Sequence, residues 1–155
     1  MTDKKLKSHR IKIDKIDKEI FALIQKRASY AVAIGKIKSK VSPKDSFYKP
    51  DRETKILRNI INANKKGLLP DSKIRAIYKE LISGCLSLEE ILKVAYLGPE
   101  ATHSEAAVHN QFGSQALRIP SSTIDDVFYQ AINDDVNLGV VPVENSSEGV
   151  INTTL

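Results

Sequence analysis

Residues 13–41 read IDKIDKEIFALIQKRASYAVAIGKIKSKV. Apolar side chains recur at Ile13, Ile16, Ile20, Leu23, Tyr30, Ile34, Ile37 and Val41, in steps of three and four with one interruption. That is the stripe of an amphipathic helix, because 3.6 residues per turn bring such positions onto one face. Pro43 is the first residue able to stop it. The spacing predicts a helix over 6–40, about 50 Å long at ~1.5 Å per residue. Such a helix is longer than a small domain is wide, so it is expected to pack against a partner chain as well as its own.

Downstream, a polar loop (SPKDSFYKP, 42–50) leads to Pro50, which suits the first turn of a second helix. Ile56, Leu57, Ile60 and Ile61 form its apolar face, and Gly67 is read as its C-terminal cap. A third helix is expected to start at Asp71 or Ser72, either able to cap it, and to fade near Leu92. Its apolar positions are Ile74, Ile77, Tyr78, Leu81, Ile82, Cys85, Leu86 and Leu88. At residue 93 the pattern changes. Lys93–Leu97 reads as a strand, 102–112 as a helix closed by Gly113, 116–119 as a strand, a stretch capped by Ser122 or Thr123 and running to Ile132 as a helix, and 138–143 as a strand. The expected organisation is an all-α domain of three helices over 1–92, followed by a truncated α/β segment, β-α-β-α-β, over 93–155. Three strands and two helices make a poor core alone.

Charge divides the chain at the same place. Residues 1–92 hold 22 Lys and Arg against 11 Asp and Glu, whereas 93–155 hold 2 against 8. A basic unit calls for an anionic partner. A single cysteine, Cys85, excludes an intramolecular disulfide and a Cys-rich zinc site; its plain reading is a small buried apolar residue. The N-terminus lacks the apolar core of a signal peptide, and no run reaches the ~20 apolar residues of a membrane helix. A cytoplasmic location is the expectation, with no membrane partner.

The interruption in the first stripe is Arg27, where the repeat asks for an apolar residue. Lys38, 11 residues on, lies ~20° away around the helix. Both are expected to face the buried side, where a charge is costly unless paired; the plain alternative is that these long side chains reach solvent or a structural carboxylate. Arg52 and Glu53 extend the apolar face of the second helix, and Glu89 follows Cys85 by four on the inner side of the third. A basic pocket with carboxyl groups suits a small dicarboxylate bearing hydroxyls, since Arg grips carboxylates through paired charged hydrogen bonds. Arg10 lies 17 residues from Arg27, ~25 Å along one helix. The two can share a small ligand only if Arg10 comes from another protomer, and a two-fold dimer would then hold two equivalent sites.

Arg10-(x2)-Ile13-(x3)-Asp17, Arg27, Gly35-Lys36-x-Lys38 and Arg52-Glu53 resemble the AroQ-type chorismate mutase family. FYKPDRE and ISGCLSLEE are similar to the version at the front of bifunctional chorismate mutase–prephenate dehydratases. VAYLGPEATHSEAA and GVVPVENSSEGVINTTL resemble the dehydratase motifs. The resemblance implies an intertwined helical dimer joined through the first helix, with chorismate as substrate and no metal or cofactor. It implies that Arg10 of the partner, Arg27 and Lys38 hold the two carboxylates and the ether oxygen. Arg52 would order the site, Glu53 would accept from the substrate hydroxyl, and Glu89 would contact the ether oxygen. In this family pattern Cys85 stands where others have Ser, beside a carboxylate, and Lys49 where some have Asp. Thr102, Ser104, Asn145 and Ser146 match dehydratase positions, but Ala101 and His103 replace a Gly and a Phe, and Ala in place of a left-handed Gly would strain the turn. The later dehydratase motif and the amino-acid-sensing domain are not in these residues, so dehydration is not expected of them.

The chemistry fits the residue types. Chorismate to prephenate is an intramolecular rearrangement that needs orientation and a donor to the ether oxygen, not a nucleophile. Lys38 donates as it stands; Glu89 donates only with a proton. Better turnover in mild acid is therefore expected, and Glu89→Gln should flatten the profile. Two other readings compete: a basic helical module binding nucleic acid or a partner helix, and an inactive dimerisation or regulatory remnant. A nucleic-acid binder would spread its cations over an exposed face with base-reading residues among them. Here Arg27 breaks the apolar stripe and Glu53 and Glu89 share the inner face, which favours the enzyme.

Overall fold

The structure is a computed structural model and describes residues 2–41, 47–145 and 149–154. Pro43 and most of the polar loop lie outside the described residues. The first helix, α1 (Thr2–Val41), has 40 residues, longer than the expected span because Lys- and Leu-containing residues before it are also good helix formers. α2 (Pro50–Ala63) starts with Pro50 at its first turn, and the N–H groups of Arg52 and Glu53 donate to the Lys49 carbonyl at 3.0 and 3.2 Å. α2 ends at Ala63 rather than at Gly67. Asn64 is the residue that closes it, and its side-chain amide donates to the Leu69 carbonyl (2.9 Å) and to Asp71 (2.7 Å). That last contact also explains why Asp71 does not cap α3 (Asp71–Leu86): the capping position is Pro70. α3 stops at Leu86, and residues 87–89 form a turn, so Glu89 stands beyond the helix and not on it.

The second half follows as β1 (Lys93–Leu97), α4 (His103–Phe112), β2 (Leu117–Ser121), α5 (Ile124–Ile132) and β3 (Leu138–Val140). The three strands are parallel in the order β2-β1-β3. The expected β-α-β-α-β order holds, with β2 running two residues further than anticipated. Thr123 caps α5 through a reciprocal bond pair with Asp126. A two-stranded antiparallel pair, β4 (Glu144–Asn145) with β5 (Gly149–Val150), and a short 3₁₀ turn at Asn152–Thr154 follow and were not expected.

β1 is central and alternates its side chains between two layers. Val94 and Tyr96 face α4 and join Val108, Leu92, Ala116 and Tyr48; Ala95 faces α5 and joins Val127 and Val136. Tyr48 comes from the turn before α2, and Leu86 of α3 packs on the same cluster. The sheet thus shares its core with the helical half, which answers how so few strands are covered.

α1 behaves differently. It packs on α3, yet residues 3–26 are all exposed. The aliphatic stripe is exposed in this chain, from 46% at Ile34 to 75% at Val41. The face that meets the chain's own helices carries Arg27, Ala31, Gly35 and Lys38 instead; Ala31 and Gly35 are buried. Small side chains let the backbones approach, so this face is set by size and the stripe by hydropathy. A Cβ on Gly35 would stand 3.1 Å from the Glu89 Cα. Among the described residues, no helix is long and apolar enough to cross a membrane.

Candidate functional site

A cleft of about 570 Å³ opens between α1, α2 and α3. Its volume is in the range of small-molecule sites. Arg27, Lys38, Arg52, Glu53, Cys85 and Glu89 all line it, together with Tyr30, Ala31, Ile34, Ile56, Tyr78, Ile82 and Leu86. Six candidates from three separate stretches of sequence therefore meet in one place. Arg10 does not reach it; it is exposed on the part of α1 beyond the chain's own body.

Four of these charges have partners in the structure: Arg27, Lys38, Glu53 and Glu89. Arg27 Nη1 donates to the Leu81 carbonyl at 3.2 Å, which fixes the guanidinium while leaving other N–H groups of its fork for a ligand. Lys38 Nζ donates to Glu89 Oε2 at 2.8 Å and to the Phe47 carbonyl at 3.0 Å, and lies 5.4 Å from the Phe47 ring centre. An ammonium has three protons, so one remains for a further acceptor. The two side chains are 30% and 11% exposed, so their attraction is less screened than at the surface. Burial raises the Glu53 carboxyl above its ordinary range, offset in part by the Lys79 charge and a hydrogen bond donated by the Tyr48 hydroxyl. Cys85 is buried and unpaired to any other cysteine, as its apolar character suggests. Lys49 lines the cleft as the residue preceding α2.

Tyr48 was missed in the sequence. It is 8% exposed, lines the cleft, and belongs to the core under the sheet. Burial pushes its hydroxyl up, a bond from Gln111 pulls it down, and the Glu53 charge raises it again. A tyrosine in a polar loop carries no periodic signal; the run Phe47-Tyr48 was the available hint. A smaller cavity of about 320 Å³ lies against Tyr48 and Glu53 too, lined also by Arg58, Arg75, Lys79 and Gln111.

The dehydratase-like residues are placed apart from this cleft. Thr102 caps α4, accepting from the Glu105 N–H at 3.4 Å, and Ser104 follows in its first turn. Asn145 belongs to β4, and Ser146 lies outside the described residues. Ala101 does adopt a left-handed backbone, φ 63°, as its position in the motif suggested. Its N–H donates to Glu105 Oε2 at 2.7 Å. That bond, first, and the one from Arg118, 3.1 Å, hold the Glu105 carboxyl below its ordinary range. His103 is exposed.

Residues 94–155 match the prephenate dehydratase family. A protein named bifunctional chorismate mutase/prephenate dehydratase from Stutzerimonas stutzeri is 43% identical over 97% of this chain and 42% of its own length. One of the same name from Aquifex aeolicus is 46% identical over the same shares. A prephenate dehydratase from Bacillus subtilis is 38% identical over 41% of this chain and 22% of its own length. The chain thus spans less than half the length of the bifunctional relatives. The profile described as chorismate mutase type II matches residues 9–90, more than half of the chain and the very helices that wall the cleft. The chain belongs to the chorismate mutase type II family.

Proposed function

We propose that this chain converts chorismate to prephenate in the cleft between α1, α2 and α3. The observation that carries the reading is the convergence of Arg27, Lys38 and Arg52 with Glu53 and Glu89 on one largely apolar cleft. Chorismate carries two carboxylates, a hydroxyl and the ether oxygen whose bond breaks. Arg27, already oriented by the Leu81 carbonyl, takes one carboxylate through its free N–H groups. Arg52 orders the second helix side. The unused proton of Lys38 is directed to the ether oxygen, where negative charge grows in the transition state. Glu89 holds that ammonium in place and, when protonated, donates itself. Glu53 accepts from the substrate hydroxyl, and the buried Cys85 shapes the wall near a carboxylate. The rest of the catalysis is selection of the folded conformer, an orientation effect.

The exposed stripe of α1 supports a homodimer in which Arg10 of the partner completes each cleft. In this reading residues 1–92 form the mutase unit and 93–155 the first part of a dehydratase lobe. The basic-module reading has less support, because three of the cations sit in the cleft beside carboxylates. The test is an assay of chorismate loss and prephenate formation by the purified chain, followed by an assay for phenylpyruvate. Prephenate without phenylpyruvate is the expected result; untouched chorismate overturns the proposal.

A further inference from the structure

The C-terminal end of α4 is fastened to α3. Lys79 Nζ donates to the carbonyls of Asn110 and Gln111, the latter at 3.2 Å. Glu80 accepts from the Ser114 N–H at 3.2 Å and from its hydroxyl. Ser83 Oγ accepts from the Gln115 N–H at 3.3 Å. Between them Gly113 has φ 80°, and a Cβ there would lie 2.6 Å from the Ser83 Cβ. The approach therefore requires glycine both for its backbone and for its space.

The same end of α4 grips Tyr48. The Phe112 ring meets the Tyr48 ring edge-on, with centres 5.5 Å apart and planes at 73°. Tyr48, Glu53 and Gln111 line one small cavity, and the polar side chains of Gln111 and Glu53 both act on the Tyr48 hydroxyl. Tyr48 is thus held from the α/β side and presents its hydroxyl to a carboxyl in the wall of the cleft.

We infer that Tyr48 is a positioning residue for Glu53, and that Gln111 and Phe112 of α4 set its position, so that the α/β segment braces the mutase cleft. The inference rests on the mutase reading and deepens it. A hydroxyl fixed at one end by Gln111 can hold the Glu53 carboxyl in one rotamer, where it meets the substrate hydroxyl. A carboxyl left to itself on a half-buried helix turn has several rotamers, and those pointing elsewhere are unproductive. The ring contact supplies the rigid seat, and the Gln111 bond supplies the direction.

The full chain is the material for the test. Gln111→Ala removes one exposed side chain, and Tyr48→Phe keeps the ring seated on Phe112, so both should fold. Each is expected to lower kcat/KM roughly three- to tenfold, the worth of one net hydrogen bond, with an almost unchanged unfolding midpoint. The same two substitutions made in Glu53→Gln should add little further loss, because interacting residues are not additive. Wild-type kcat/KM in both single variants overturns the inference and leaves the mutase reading standing. So does an equal loss in the presence and absence of Glu53, since a merely structural role would add. An unaltered chain that leaves chorismate untouched overturns both.

Discussion

Lys38 Nζ stands 2.8 Å from Glu89 Oε2, and the contact joins the last turns of α1 to the turn that ends α3. The pair spans 51 residues of sequence and closes one end of the cleft. Glu89→Gln keeps an oxygen for Lys38 to donate to and adds an N–H that donates at any pH. Turnover in this variant should equal or exceed that of the unaltered chain at neutral pH. Glu89→Ala releases the ammonium and should cost on the order of a hundredfold in kcat. Steady-state turnover of the three proteins at neutral pH checks this; a Glu89→Gln variant as slow as Glu89→Ala would overturn it.

The close approach of Gly35 to the Glu89 backbone gives a second handle on the same pair. A methyl at Gly35 would sit 3.1 Å from the Glu89 Cα and 3.3 Å from its Cβ, so the turn must move by a few tenths of an ångström. Overpacking of this kind costs about 1–3 kcal/mol. Gly35→Ala should lower stability in urea and cut kcat roughly tenfold, because a displaced Glu89 no longer orients Lys38. Lost stability with unchanged kcat would separate packing from catalysis.

Much of this arrangement could be read in the chain itself. The succession of helices and strands follows from periodicity, and the grouping of Arg27, Lys38, Arg52, Glu53, Cys85 and Glu89 from charges on inner faces together with the family resemblance. The side of α1 that meets its own domain could not be read so easily. Hydropathy marks the aliphatic stripe, whereas contact within the chain uses Ala31 and Gly35, where small size and not hydrophobicity decides. Gly67 failed as a cap because Asn64 satisfies the end of α2 and reaches forward to Asp71, a side-chain bond that propensity does not encode. Tyr48 escaped because the ring it packs against, Phe112, lies on α4, far along the sequence.

Glu53 should leave its mark on pH dependence. Burial raises its folded pKa above the ordinary 4.5. As a carboxylate it is the better acceptor for a substrate hydroxyl, so kcat/KM should fall on the acid side with a midpoint above that value. Stability has the opposite sense. A raised folded pKa means a contribution fully present below the unfolded pKa and lost as pH rises through the folded one. Glu53→Gln should therefore remove the acid limb of activity and reduce the loss of stability on going from acid to neutral pH, read from urea midpoints.

Ala101 offers a test in the α/β segment. Its φ of 63° is costly for a residue with a Cβ, by about 1–2 kcal/mol. Glycine relieves that strain and loses some backbone entropy on folding. Ala101→Gly should raise the unfolding free energy by about 0.5–1 kcal/mol, with mutase turnover unchanged. A destabilised variant would mean that the Ala101 N–H bond to Glu105 depends on the alanine.

The exposed stripe of α1 sets the last expectation. Ile13, Ile16, Ile20 and Leu23 are each about half exposed or more in this chain, and a continuous helical stripe of that kind is a surface for another helix. In the proposed dimer a second copy of α1 covers this stripe and carries Arg10 to the cleft that Arg27 of the first copy lines. Sedimentation should give a dimer, and Ile16→Asp with Ile20→Asp should give a monomer lacking turnover. Arg10→Ala and Arg27→Ala should each be nearly inactive alone. Mixed and allowed to exchange, half of the molecules become heterodimers, and in each of these one of the two clefts has both arginines. About one quarter of the unaltered activity should return, the statistical share for a two-fold dimer. Heterodimers verified by mass that recover nothing would place Arg10 outside the partner's cleft.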